Sequence, residues 1–340
     1  MVQNGKVNVI HFNKVYDVYV SHATLRDTLR PVFYLKCTDR RKILLTIKNV
    51  MVIKRKLIKI QTPTTHQGFL GADHTARALI QGNFSETDPF ILLMDDMLDK
   101  QNEDPVGGPH PHAGFETVSL LLEGEIGDSE YRMKAGDFQI MTAGSGIIHT
   151  ETIDTKTKMR LLQLWLNLPK KDRWATPRVQ NMSLAHVPKV SENGLQIKLY
   201  SGSLAGIASP ICNYVPMIVT DIQMQRGTTT TQYIPASYNT FLYVIEGTVK
   251  VGEEEKLLKQ NQIGWLNLFA DNVQSELKLN AGESGGRVIL YSAQPQGESI
   301  VSHGPFIGDT QEDIARLYQE FRKGKMQHIS TVPENQRITW

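Results

Sequence analysis

The sequence predicts an all-β chain, two tandem β-barrels of jelly-roll type followed by a short C-terminal helix. Three observations predict it. Short apolar runs such as 118–122 and 138–141 are set apart by glycine-bearing turns, Glu123-Gly124-Glu125, Ala135-Gly136-Asp137 and Ala143-Gly144-Ser145-Gly146, the punctuation of an antiparallel barrel. That punctuation occurs twice: Tyr243-Val244-Ile245-Glu246-Gly247-Thr248-Val249 echoes Leu120-Leu121-Leu122-Glu123-Gly124-Glu125-Ile126 at an offset of 123. A single helical stripe then closes the chain, Ile314, Leu317, Tyr318 and Phe321 at i, i+3, i+4 and i+7, opened by a Thr310-x-x-Asp313 capping box and stopped by Gly324.

Taken in order, the chain divides into four parts. Residues 1–60 carry 13 Lys and Arg against 3 Asp, a balance of +10, which leaves 24 basic and 32 acidic residues, or −8, for the rest. Residues 1–55 are read as a basic N-terminal extension outside the fold, with Met51 as a candidate functional start. The 52–60 stretch alternates apolar and basic residues like an edge strand guarded by lysines. Residues 56–180 form the first barrel. Within it, 78–81 and 90–94 read as strands, His66 and His74 as exposed loop histidines, and Asp95-Asp96 as a turn. The apolar run 159–168 closes this barrel, with Gln163 and Trp165 on one face and Trp165 read as core. A proline-bounded polar linker, 169–177, leads to the second barrel, 181–310. Residues 311–340 are the helix and tail, with His303 and His328 structural or exposed.

Composition bounds the function. The chain has 340 residues, 40% hydrophobic and 21% charged, with a net charge of +2. Cys37 and Cys212 make neither a disulfide framework nor a CxxC site. No apolar run reaches the length of a membrane span, and no secretory leader is visible. An intracellular, cytoplasmic protein is expected, nuclear if the source is eukaryotic. Residues 61–340 are acidic and lack helix-turn-helix, zinc-finger or aromatic-interleaved basic motifs, so no direct nucleic-acid binding is expected.

The chemistry lies between Gly107 and Glu151. His110-Pro111-His112 and His149-Thr150-Glu151 each place two metal-capable groups at i and i+2, on one face of an extended strand. If the two strands are neighbours, three imidazoles and one carboxylate converge, a set that suits a divalent transition metal with positions left open. One carboxylate leaves such a site net positive, which favours an enolate, phenolate or carboxylate ligand. In the second half, His110 and His112 map to Tyr233 and Pro235, and His149 and Glu151 to Gln274 and Glu276. That barrel is therefore predicted to hold no metal. Its correspondence to the first weakens after Val249, because 259–265 lacks a clear Gly-Asp turn.

Together these motifs are the two-motif pattern of a cupin barrel. HPHAGFETVSLLLEGEI, GDFQIMTAGSGIIHTE, RLLQLWLNLPKKDRWATPRVQ, DPFILLMDD and HGPFIGDTQEDI resemble the pirin family of bicupins, over residues 61–329. The resemblance implies metal ligands at His110, His112, His149 and Glu151, with Fe2+ expected and other divalent transition metals as alternatives. It implies Glu151 as candidate catalytic base. The usual cupin glutamate falls at Glu116, which becomes a supporting residue and reserve base. Two functions follow: a quercetin 2,3-dioxygenase-like oxidoreductase acting with O2 on a planar aromatic, flavonol-type substrate, or an iron- and redox-dependent transcriptional co-regulator that binds a protein partner without turnover. A monomer is expected, because two barrels can cover each other.

Overall fold

The computed structural model describes residues 52–127 and 132–340; most of the expected extension, 1–51, lies outside them. Among the described residues two large, mainly antiparallel sheets dominate, with helices confined to short segments and to Gln311–Arg322. The first sheet runs in the order Thr65–Gln67, His74–Ile80, Phe90–Lys100, Thr157–Asn167, Phe115–Glu123, Phe138–Thr142, Arg178–Met182, Arg337–Thr339. The second is built on Gln274–Ala293 and Asn239–Val251, its two longest strands.

The barrels meet through one face of each sheet. Val118, Leu120, Ile140, Leu162 and Leu164 of the first pack with Phe241, Tyr243 and Tyr291 of the second in a single buried cluster. Such apolar contact supplies most of the cohesion, at roughly 25 cal/mol per Å² removed from water. A buried charge lies within this seam. Asp95 accepts from Arg160 (2.8 and 2.9 Å), Arg77 (3.0 Å) and Tyr243 of the second barrel (2.6 Å).

Four expectations are corrected here. Asp95 and Asp96 belong to the strand Phe90–Lys100 rather than to a turn, and point to opposite faces. His74 is fully buried, not a loop histidine: its Nε2 lies 2.9 Å from Asp96 Oδ1, and its Nδ1 accepts from Leu70 N–H. The linker 169–177 leads not to the second barrel at 181 but to Arg178–Met182, a strand of the first sheet, and its Arg173, 0% exposed, donates to Gly114 O and Asn167 Oδ1. Finally, two segments cross between the barrels. Ile53–Lys54 and Leu57–Gln61, expected outside the fold and in the first barrel, pair with Gln274–Ala293 and Ile263–Leu266 of the second. In return, Gln327–His328 and Arg337–Thr339 join the first barrel.

The helix forms as its sequence requires. Thr310 Oγ1 accepts from Asp313 N–H while Asp313 accepts from the Thr310 N–H, Ile314 and Leu317 are buried, and Gly324 takes φ 65°. The apolar stripe docks on Ala113 and Phe306, directly behind the His110–His112 strand. Gly114 permits this approach: at φ 85° it would carry a Cβ 2.0 Å from Ile307 O.

Candidate metal centre

His110–His112 and Ile147–His149 are antiparallel neighbours, with His110 opposite His149 and His112 opposite Ile147. Alternation turns His110, His112 and His149 the same way, and one ring nitrogen from each lies within 4.8 Å of the others. His110 Nδ1 lies 2.9 Å from Gly108 O, which fixes that nitrogen as donor and leaves Nε2 as a free lone pair. Buried nitrogens on the other two rings, Nδ1 of His112 and Nε2 of His149, have no hydrogen-bond partner. Buried polar atoms are rarely left unpaired. A cation shared by the three rings satisfies them, so the residues present fit a metal.

The electrostatics agree. Burial, with the neighbouring histidines, holds His112 well below its ordinary pKa and His149 at about 3. Both rings are therefore neutral at physiological pH, the ligating form. Glu151 stands beside the cluster, its Oε1 4.0 Å from His149 Nδ1 and accepting from Gln163 Nε2 at 3.1 Å. Burial raises its pKa, while His110 and the Gln163 donor work against that rise.

Sequence reasoning misplaced Glu116. It is fully buried, accepts from Thr142 Oγ1 at 2.6 Å, and shares a strand face with Val118 and Leu120, which pack on the second barrel. Phe115, one residue back, is the neighbour that turns toward the cluster, its ring 5.2 Å from His112. Glu116 thus lies on the side of the sheet away from the histidines, and alternation removes it as reserve base. Trp165, read as core, instead stands at the site: its ring is 5.2 Å from His112 and 4.4 Å from Phe115. Gln163 shares that face, and its bond to Glu151 was legible only as the i, i+2 partner of Trp165. His303 and His328 are structural, paired with Tyr318 and Thr150.

His149 and Glu151 open onto a cavity of about 390 Å³. Its floor includes Gln139 and Asn181, which bond to each other at 2.8 Å, with Met133 and Val179 beside them. Residues 72–166 match the family model described as Pirin, and residues 219–327 the one described as the Pirin C-terminal cupin domain. Pirin of Rattus norvegicus is 34% identical over 247 residues, 70% of this chain and 82% of its own length. The chain belongs to the pirin family. This pirin chain also resembles a solved quercetin 2,3-dioxygenase from Acinetobacter baumannii, at 26% identity and a TM-score of 0.69 over 82% of this chain and 99% of that one. The bacterial pirin YhhW from Escherichia coli, solved in complex with nickel(II), shares the fold at 18% identity and a TM-score of 0.51, over 70% of this chain and 98% of that one. Among the described residues, no helix of this pirin is long and apolar enough to cross a membrane.

Proposed function

We propose that this pirin is a metal-dependent dioxygenase that opens a ring of a planar aromatic, flavonol-type substrate, both oxygen atoms of O2 ending in the products. The observation that carries the reading is a three-imidazole cluster with a carboxylate beside it, of which His149 and Glu151 line a cavity large enough for a small aromatic molecule. His110, His112 and His149 would hold the ion, with Glu151 as the fourth ligand. Iron is the proposed metal, since imidazole and carboxylate suit Fe2+ and leave positions open. Bound there, it supplies Lewis acidity that lowers the pKa of a coordinating hydroxyl.

The chain's own residues do the rest. Glu151, released from its role as ligand, would receive the hydroxyl proton on the oxygen that Gln163 does not engage, while the Gln163 amide keeps the other oxygen in place. Phe115 and Trp165 wall the histidines on the barrel side and keep water from their buried faces. Quercetin 2,3-dioxygenase activity, named for the Acinetobacter relative, is compatible with this arrangement.

The test is elemental analysis of the purified chain, followed by anaerobic mixing with quercetin and admission of oxygen. Stoichiometric iron and flavonol-dependent oxygen uptake are expected, both lost in His112→Ala. Stoichiometric iron with no uptake would reject turnover and leave the non-enzymatic alternative, a redox-dependent co-regulator, to be sought in partner binding that differs between reduced and oxidised metal.

A further inference from the structure

One wall of the cavity is not made by the first barrel's own strands. It comes from the end of the chain, beyond residue 327, where the match to the C-terminal family domain stops. Gln327–His328 runs parallel to the ligand strand, Ile147 opposite Gln327 and Ile148 opposite His328. His328 Nε2 and Thr150 Oγ1 are 2.9 Å apart, which ties the tail to the residue between His149 and Glu151. Val332, 1% exposed, anchors the segment among Met141, Ile147 and Val179.

The chain then returns as Arg337–Thr339, parallel to Arg178–Met182, with Val179 opposite Arg337 and Asn181 opposite Thr339. Alternate residues share a face, so Arg337 and Thr339 stand with Val179 and Asn181 on the side that lines the cavity. Ile329, Ser330 and Glu334 complete the wall. A carboxylate, a guanidinium and two hydroxyls are thus brought to the same cavity as His149 and Glu151.

We infer that this tail is the specificity element of the site: Glu334 and Arg337 recognise the ring hydroxyls of the substrate and select polyhydroxylated flavonols over unsubstituted ones. The inference rests on the proposed dioxygenase reading. One hydroxyl at the metal and at Glu151 orients one end of a flavonol and says nothing about the other. Met133, Val179 and Ile329 offer apolar surface for its flat faces, whereas hydroxyls carried into the cavity need partners or cost the energy of unmet hydrogen bonds. A carboxylate accepts from a phenol O–H, and a planar guanidinium donates to two neighbouring oxygens at once.

The experiment compares kcat/KM for quercetin and 3-hydroxyflavone in the iron-loaded wild type and in a Glu334→Ala, Arg337→Ala double variant. Both side chains are exposed and neither belongs to the buried anchor; iron content and thermal melting check that the tail's backbone pairing is retained. The wild type is expected to prefer quercetin by about tenfold or more, and the variant to lose about tenfold of that ratio, through KM rather than through metal loss. Turnover of both flavonols with the same ratio in both proteins overturns the inference. If neither flavonol is turned over by the wild type, the dioxygenase reading fails on its own, and dissociation constants from fluorescence quenching decide the tail: a variant that keeps the wild-type preference for quercetin overturns its role.

Discussion

The two barrels share a turn grammar and differ in what fills them. In the first, Asp137 Oδ2 accepts from Lys134 N–H and Gly136 takes φ 92°. At an offset of 125, Gln262 Oε1 accepts from Lys259 N–H and Asn261 takes φ 63°. The same turn is made from different residues, since asparagine tolerates the left-handed region and a longer amide replaces the carboxylate. The interiors diverge. Ser119 in the first corresponds to Leu242 in the second, which sits in an apolar cluster with Val244, Leu277 and Leu290. Where the first barrel brings histidines together, the second sets Tyr233 opposite Glu276 and Pro235 opposite Gln274. Lys54 pairs with Glu276 there, and the buried guanidinium of Arg55 donates to the carbonyls of Pro235, Ala236 and Tyr238. The first barrel's histidines could hold a cation, whereas in the second the cations, Lys54 and Arg55, are covalently part of the chain.

That contrast can be broken in three ways. The largest effect is expected from the imidazoles. His149→Ala should lower metal affinity by more than about 100-fold, beyond the 10–100-fold typical of residues that only support ligands, while Gln274→Ala, its counterpart, should leave the bound metal unchanged. Elemental analysis after equilibrium dialysis reads both, and metal loss from the Gln274 variant would mean that the barrels are not divided as described.

Next is the built-in cation. Arg55→Ala leaves buried carbonyls without their donor, and should cost about 3 kcal/mol, seen as a lower urea midpoint with the metal retained. A loss below about 0.5 kcal/mol would show that Arg55 does not stopper the second barrel.

The smallest effect concerns the seam. Burial raises the Glu116 carboxyl to about 7, whereas its counterpart Asn239 is uncharged and donates to Glu86 O and Asp88 O. A carboxyl with a raised folded pKa binds its proton more tightly in the native state. It therefore stabilises fully below about pH 4.5, and that contribution is lost as pH rises through about 7. Glu116→Gln should remove this dependence, on the order of 2 kcal/mol between pH 5 and pH 8. Parallel slopes of wild type and variant in denaturant titrations across that range would discount Glu116 as its source.

Much of this was legible in the sequence because strand alternation is a local rule. The i, i+2 spacing of His110 and His112 fixes their common side wherever the strand goes, and the capping box at Thr310 needs only its own turn. What escaped needs a partner that is distant in the chain. His74 is read as a loop histidine until Asp96 is placed against it, and Asp95 as a turn until Arg77, Arg160 and Tyr243 surround it. Glu116 stands four residues after His112, which unbroken alternation would put on the histidines' side; the break at Gly114, φ 85°, between the two strands turns it to the opposite face. The tail carries no apolar stripe or repeat that announces its return to the first barrel.

The crossing of 53–61 and 327–339 between the barrels bears on how the molecule can be divided. A cut within 169–177 would leave the first half with the strands 53–61 that complete the other barrel, and the second half with the segments 327–339 that complete its neighbour. Each fragment would keep an orphan ribbon and lack an edge. Separating the two barrels therefore takes more than one cut, because each is finished by a ribbon that belongs in sequence to the other side.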